Sequence, residues 1–291
     1  MNDQSANPPY FDGLLRSLSR SDDRAAAAFH RHVHWGYWDE PPQTACSPEQ
    51  YDAAADALCR MMCDLAAVRD GMRIVDVGCG FGGTIASLNE RFSNLTLVGV
   101  NIDARQLRRA AELAPLRDGN SIEWVRADAA EIPLPTASCD AVLAVESVFH
   151  FDRPRFFAEA RRLLTSDGTL TLSDFVPSER AMEYLDAIDL SADEGVRQSY
   201  GQIDLSYSLD RYRALAAAHG LELRTAIDVT KNTLPTYAFL YSSTREWPDA
   251  REVELFTKAT RRLEKACRSG LMGYLILQFA VETSDASPAD G

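Results

Sequence analysis

The spacing of apolar positions changes along the chain. Up to residue 67 it is mostly helical. One segment, 48–67, opens on Ser47, a good N-cap, with Pro48 at the first helical position. From residue 72 onwards, short apolar runs alternate with helical stretches. Residues 73–77, 95–100 and 122–127 read as strands, and 141–145 is a continuous apolar run suited to burial on both faces. Residues 169–173, 223–229 and 274–281 read as further strands. Helical patterns occupy 104–113, 155–164, 210–219 and 255–267, the third stopped by Gly220. This rhythm predicts an α/β fold, a doubly wound parallel sheet with helices on both faces.

The departures from that rhythm suggest the domain plan. Residues 1–9 are polar with prolines, and 283–291 are acidic and small, so both ends are expected to be disordered tails. Residues 10–70 form a helical cap and 71–282 a ligand-binding domain. Within the latter, 178–208 is acidic, aromatic and non-periodic, as expected of an inserted lid. No stretch reaches the ~18 apolar residues that cross a bilayer, and the N-terminus lacks the apolar core of a secretory signal.

The chain has 291 residues, with 30 Lys+Arg against 43 Asp+Glu, a net charge of -13. Such an acid excess repels a phosphate backbone and argues against nucleic acid as partner. The six cysteines are irregularly spaced without a C-x-x-C pair, which suits reduced thiols in a cytoplasmic protein. Cys59 and Cys63 read as small apolar face residues. The run His30-Arg31-His32-Val33-His34 alternates like a metal-binding strand, but Arg31 and the helical pattern over 25–29 argue otherwise, so no metal is expected.

The informative motif is Asp76-Val77-Gly78-Cys79-Gly80-Phe81-Gly82-Gly83, between a strand and a helix. Gly78, Gly80 and Gly83 also fit the dinucleotide fingerprint, a short and common pattern. Asp76 separates the two readings. A carboxylate there disfavours a pyrophosphate and favours an ammonium group, as in the amino-acid tail of S-adenosylmethionine (SAM), whose own carboxylate would take loop amides. The plainer alternative makes Asp76 a turn residue at a strand end.

The block resembles motif I of class I SAM-dependent methyltransferases, and the likeness continues through the following strands. It implies a Rossmann-like, seven-stranded sheet with the last strand antiparallel, and SAM as cofactor. Asn101 stands where the family most often has an acid, leaving open whether Asn101 or Asp103 meets the ribose; Ile102 and Gln106 border that site. Asp128 and Ala129 resemble the adenine site, although Asp128 also reads as a solvated loop acid. Glu146 belongs to the cofactor side.

Val145-Glu146-Ser147-Val148-Phe149-His150 and Ser173-Asp174-Phe175 resemble segments of the natural-product group, which includes rebeccamycin sugar O-methyltransferase and the tocopherol- and sterol-type methyltransferases. There a His pairs with an Asp. The resemblance implies His150 as general base, oriented by Asp174, against the alternative of a structural histidine. His34-Trp35-Gly36-Tyr37-Trp38 resembles the group's H-x-G-Y-W element, with Tyr37 on the cofactor tail and Trp35, Trp38, Phe149 and Tyr237 around the acceptor; an aromatic core is the alternative. O-methylation of a small-molecule acceptor is therefore expected. C- or N-methylation, a SAM-binding protein that transfers no methyl group, and a more distant nicotinamide oxidoreductase stay open. So does a homo-oligomer; membrane insertion is not expected.

Overall fold

The computed structural model describes residues 12, 14–15, 29–42, 46–117, 119–185, 193–244, 247 and 249–282. The expected tails and the helical pattern over 25–28 lie outside them. Ser47 caps the first helix, α1 (Pro48–Leu65), in a reciprocal capping box with Gln50. Its apolar stripe, Tyr51, Ala55, Leu58, Cys59 and Met62, is buried. Residues 29–42, read as mostly helical, form turns and extended chain instead. Gly36 and its aromatic neighbours are tied down individually through the backbone: the Gly36 amide donates to Thr236 Oγ1, and the amides of Tyr37 and Trp38 donate to the carbonyls of Ala54 and Asn232.

The strands are β1 (Arg73–Val77), β2 (Thr96–Asn101), β3 (Ser121–Arg126), β4 (Cys139–Val145), β5 (Leu164–Pro177), β6 (Leu221–Asp228) and β7 (Met272–Val281). They form one sheet in the order β3-β2-β1-β4-β5-β7-β6. The first five are parallel, and β7 runs antiparallel to both neighbours. This is the Rossmann-like α/β arrangement expected. Central β1 and β4 are almost wholly buried, whereas edge strands β3 and β6 alternate half-buried and exposed positions. The period thus follows whether one or both faces are covered.

Helices α2 (Gly83–Arg91), α3 (Ala104–Leu113) and α4 (Arg153–Leu163) connect the parallel strands. After β5 come α5 (Glu179–Leu185), α6 (Glu194–Tyr200) and α7 (Leu209–Ala218); after β6 come α8 (Thr230–Thr233), α9 (Pro235–Ser243) and α10 (Ala250–Arg268). The sequence reading missed α8 and α9, and it took the stretch that holds α5 and α6 as non-periodic. Strand order reverses between β1 and β4, so the carboxyl ends of these strands open a crevice at the switch point.

Candidate active site

Three cavities meet at this crevice. The smallest, about 100 Å³, is lined by Asp76, Gly78, Cys79, Gly80, Asn101, Ile102, Gln106 and Glu146. A second, about 250 Å³, continues past Asn101 and Ile102 to Asp128 and Ala129. The third, about 230 Å³, is walled by apolar side chains from Trp35, Phe149, Phe175, Tyr200, Phe256 and their neighbours.

Asp76 is 1% exposed, and neither carboxylate oxygen has a well-formed hydrogen-bond partner. Burial pushes its pKa up to about 7, only partly opposed by the nearby Thr84 hydroxyl. An unpaired acid against a cavity wall fits a ligand carrying a cationic nitrogen. The loop next to it depends on Gly78, whose φ is +75°. A Cβ there would lie 2.6 Å from Ser147 Cβ, so only glycine permits this approach of β1 to the end of β4. The Gly78 and Cys79 amides both donate to the Val100 carbonyl. Those two amides therefore shape the loop instead of serving a ligand carboxylate.

Asn101 lines both polar cavities. Its Oδ1 accepts from the Asp103 amide and its Nδ2 donates to Gln106 Oε1. Asp103 lines neither; it caps α3 and pairs with Arg105. The geometry favours Asn101 over Asp103. Asp128 uses Oδ1 to accept from the Ala130 amide and remains exposed at the far cavity.

A family model described as a methyltransferase domain matches residues 75–172. The 27-O-demethylrifamycin SV methyltransferase of Amycolatopsis mediterranei (strain S699) is 34% identical over 210 residues, 71% of this chain and 72% of that protein. The chain belongs to the class I SAM-dependent methyltransferases. Methyltransferase GfsG of Streptomyces halstedii is 30% identical over 78% of this chain and 80% of its own length. The fold is also that of the cyclopropane synthase MmaA2 from Mycobacterium tuberculosis, with TM-score 0.74 and 16% identity over 96% of this chain and 100% of that one. The cofactor of this methyltransferase is SAM. The orphaned acid and the chain of polar cavities suit its amino-acid and adenosine ends.

In this methyltransferase Val33, Glu146 and His150 line both the apolar cavity and the smallest polar one. His150 Nδ1 sits 3.0 Å from the Gln202 carbonyl. A carbonyl only accepts, so Nδ1 holds the proton and Nε2 keeps its lone pair. Burial, with the Arg153 charge, holds the His150 pKa down at about 4 against the Gln202 bond. Glu146 has a left-handed φ of +49°. Its Oε2 accepts from the Trp35 amide at 2.9 Å and the Tyr274 hydroxyl at 2.6 Å, while its own amide donates to Ser173 Oγ. Burial pushes its carboxyl up to about 8, although both of those donors favour the charged form. A non-glycine residue held in this conformation stores ~1–3 kcal/mol, a pattern common at functional sites.

Four expected placements need correction. Asp174 does not pair with His150: it is fully buried, its Oδ2 accepts from Arg153 at 2.8 Å and from the Tyr212 hydroxyl, and its Oδ1 accepts from the Phe175 amide. Burial works against the Arg153 charge, but Asp174 more than offsets it and keeps the guanidinium protonated. Tyr37 misses the cofactor cavity because its hydroxyl bonds Asp39. Trp38 packs with Tyr51, Ala54 and Phe239, and its indole donates to Thr236 Oγ1 at 3.0 Å, so it belongs to the core. Tyr237 is 1% exposed; it stacks edge-on behind Trp35 and meets Cys267 Sγ, one layer outside the apolar cavity. Trp35 and Phe149 do line that cavity. Sequence reading missed Val33, Arg153, Gln202, Tyr212 and Tyr274. None stands in a motif quoted above except Val33, which there carried no function.

Proposed function

We propose that this methyltransferase methylates a hydroxyl of a largely apolar small-molecule natural product, with His150 as general base. One observation carries the reading: His150 stands where the apolar and polar cavities join, with Nδ1 held by a carbonyl and Nε2 available. When bound, SAM supplies an electrophilic methyl group on a sulfonium. Asp76 holds the ammonium, Asn101 the ribose, and Asp128 with the Ala129 amide the adenine. The apolar walls exclude water and orient the acceptor for in-line attack. His150 Nε2 takes the hydroxyl proton as the acceptor oxygen forms its bond to carbon. The relative named for 27-O-demethylrifamycin SV supports an oxygen acceptor.

C-methylation is the competing chemistry, and Glu146, on the wall shared by the apolar and polar cavities, favours it when ionised, since a carboxylate there stabilises a carbocation. His150→Gln separates the two. With radiolabelled SAM and a panel of apolar acceptors, O-transfer is expected to lose about 10²- to 10⁴-fold in kcat while SAM affinity holds. Undiminished transfer in the variant would overturn the general-base assignment.

A further inference from the structure

His32 and His34 lie on the loop beside the cofactor cavity, and Cys59 lies on α1; all three are buried. Alternation in extended chain turns both imidazoles the same way. His34 Nε2 is 3.2 Å from His32 Nδ1, and Cys59 Sγ is 3.3 Å from the former and 3.6 Å from the latter. His34 Nδ1 is 2.9 Å from the Trp35 carbonyl, so its proton resides there and Nε2 presents a lone pair. His32 Nε2 faces Asp56 Oδ1 at 3.7 Å, a carboxylate that favours a proton on that nitrogen and a lone pair on Nδ1. Two ring nitrogens and a sulfur thus converge on one point, an arrangement that can hold a metal ion.

We propose that His32, His34 and Cys59 bind a zinc(II) ion. A tetrahedral zinc, with Zn–N about 2.0–2.1 Å and Zn–S about 2.3 Å, sets N···N near ~3.3 Å and N···S near ~3.6 Å. The three observed separations are close to those edges. The outer nitrogen of His34 bonds a carbonyl, a usual partner of metal-binding imidazoles, and that of His32 lies 3.7 Å from the Asp56 carboxylate, outside hydrogen-bond distance. A Cβ on Gly83 would fall 2.3 Å from His32 Nδ1, so the glycine opening α2 makes room for this ring. Thr84 Oγ1, 3.4 Å from Cys59 Sγ, borders the remaining vertex, on the wall of the cofactor cavity. Water completes the shell there, and binding displaces the thiol proton to solvent. The ion clamps the loop that carries Val33 and Trp35 onto α1, and through the Trp35 amide it helps hold Glu146.

The test uses untagged protein from zinc-supplemented culture, freed of loose metal by desalting. Elemental analysis is expected to give one zinc per chain. Replacement by cobalt(II) is expected to give tetrahedral d–d bands and a sulfur-to-cobalt charge-transfer band. Cys59→Ser is expected to lose both the stoichiometric metal and the charge-transfer band, while Cys63→Ser, one turn along α1, keeps them. Should Cys59→Ser fail to fold, X-ray absorption of the wild-type metal decides, with two nitrogens and one sulfur expected. Substoichiometric zinc in the wild type overturns the proposal and leaves the three groups joined by hydrogen bonds alone. Metal bound without sulfur, or kept by a folded Cys59→Ser, overturns it equally.

Discussion

Asp76→Asn keeps the shape of the side chain and removes its charge, and the structure gives that change opposite effects on two measurements. In the ligand-free protein, burial holds this carboxyl up at about 7, from an ordinary 3.8. The folded chain therefore keeps a proton that the unfolded chain has already released. Stability falls as pH climbs from about 4 to about 7 and is flat above that. At 1.36 kcal/mol per pH unit the whole effect is about 4 kcal/mol. Water in the cavity screens part of it, so asparagine is expected to stabilise the ligand-free protein at pH 7.5 by about 1–2 kcal/mol, with Tm moving about 2–4 °C per kcal/mol. At pH 4.5 the gain should nearly vanish.

SAM binding moves the other way. An ion pair with charge-assisted hydrogen bonds to the ammonium contributes about 1.5–3 kcal/mol, so Kd is expected to rise about 10- to 150-fold. Titration calorimetry gives the affinity, and melts at the two pH values give the stability. A merely structural Asp76 predicts a lower Tm with affinity kept. Unchanged SAM affinity in a folded Asp76→Asn protein refutes the ammonium assignment outright.

Gly78→Ala forces a side chain onto φ +75° and into Ser147, which should cost about 2–5 kcal/mol in urea unfolding. Trp35→Phe removes an indole N–H that is buried without a partner and lines the apolar cavity. If that N–H serves the acceptor, its KM rises about 3- to 10-fold (~1 kcal/mol) with SAM affinity unmoved; an unchanged KM marks the ring as wall alone. A base must be deprotonated to act, and His150 titrates near 4. The His150 limb of kcat/KM is therefore expected to be flat from pH 6 to 8 and to fall only as pH approaches 4, whereas a fall centred near 6.5 would show an unburied imidazole.

The sheet was legible because each strand's burial is written in its own residues. β1 and β4 are covered on both faces and read as apolar runs, and the Ser47 cap marks α1 locally. Where order depends on distant partners, the sequence reading failed. The 29–42 stretch has helix-like apolar content, but its backbone bonds go to α1, to α8, to the start of α9 and to Glu146. The polar half of the site was legible for the same local reason: Asp76, Gly78, Asn101 and Asp128 stand at or just beyond strand ends, and the crevice at the switch point follows from topology. Tyr37, Trp38 and Tyr237 were misplaced because an aromatic residue has the same identity in core and pocket. Its direction is decided by partners such as Asp39 and Thr236, which no spacing reveals.

The Asp174 miss shows how a correct neighbourhood yields a wrong contact. β4 and β5 are adjacent, with Val145 opposite Ser173, so Asp174 does lie beside the segment that carries His150. It faces the other side of that segment, into a fully buried pair with Arg153. Removing either member would strand a charge, a loss of ~3–5 kcal/mol. The pair nevertheless reaches the histidine. Arg153 also donates to the Asp204 carbonyl at 2.8 Å, and the Asp204 amide donates to the Phe149 carbonyl at 2.8 Å. Residues 202–204 are thereby fixed against the turn that bears His150, and from that segment the Gln202 carbonyl accepts the hydrogen bond from Nδ1–H. A carboxylate in direct contact would raise the imidazole's basicity. Here a neutral carbonyl orients the ring, and the acid acts two bonds further back through a cation that lowers the ring's pKa. The imidazole stays neutral over the physiological range, and under the proposed general-base mechanism Asp174 is a positioning residue.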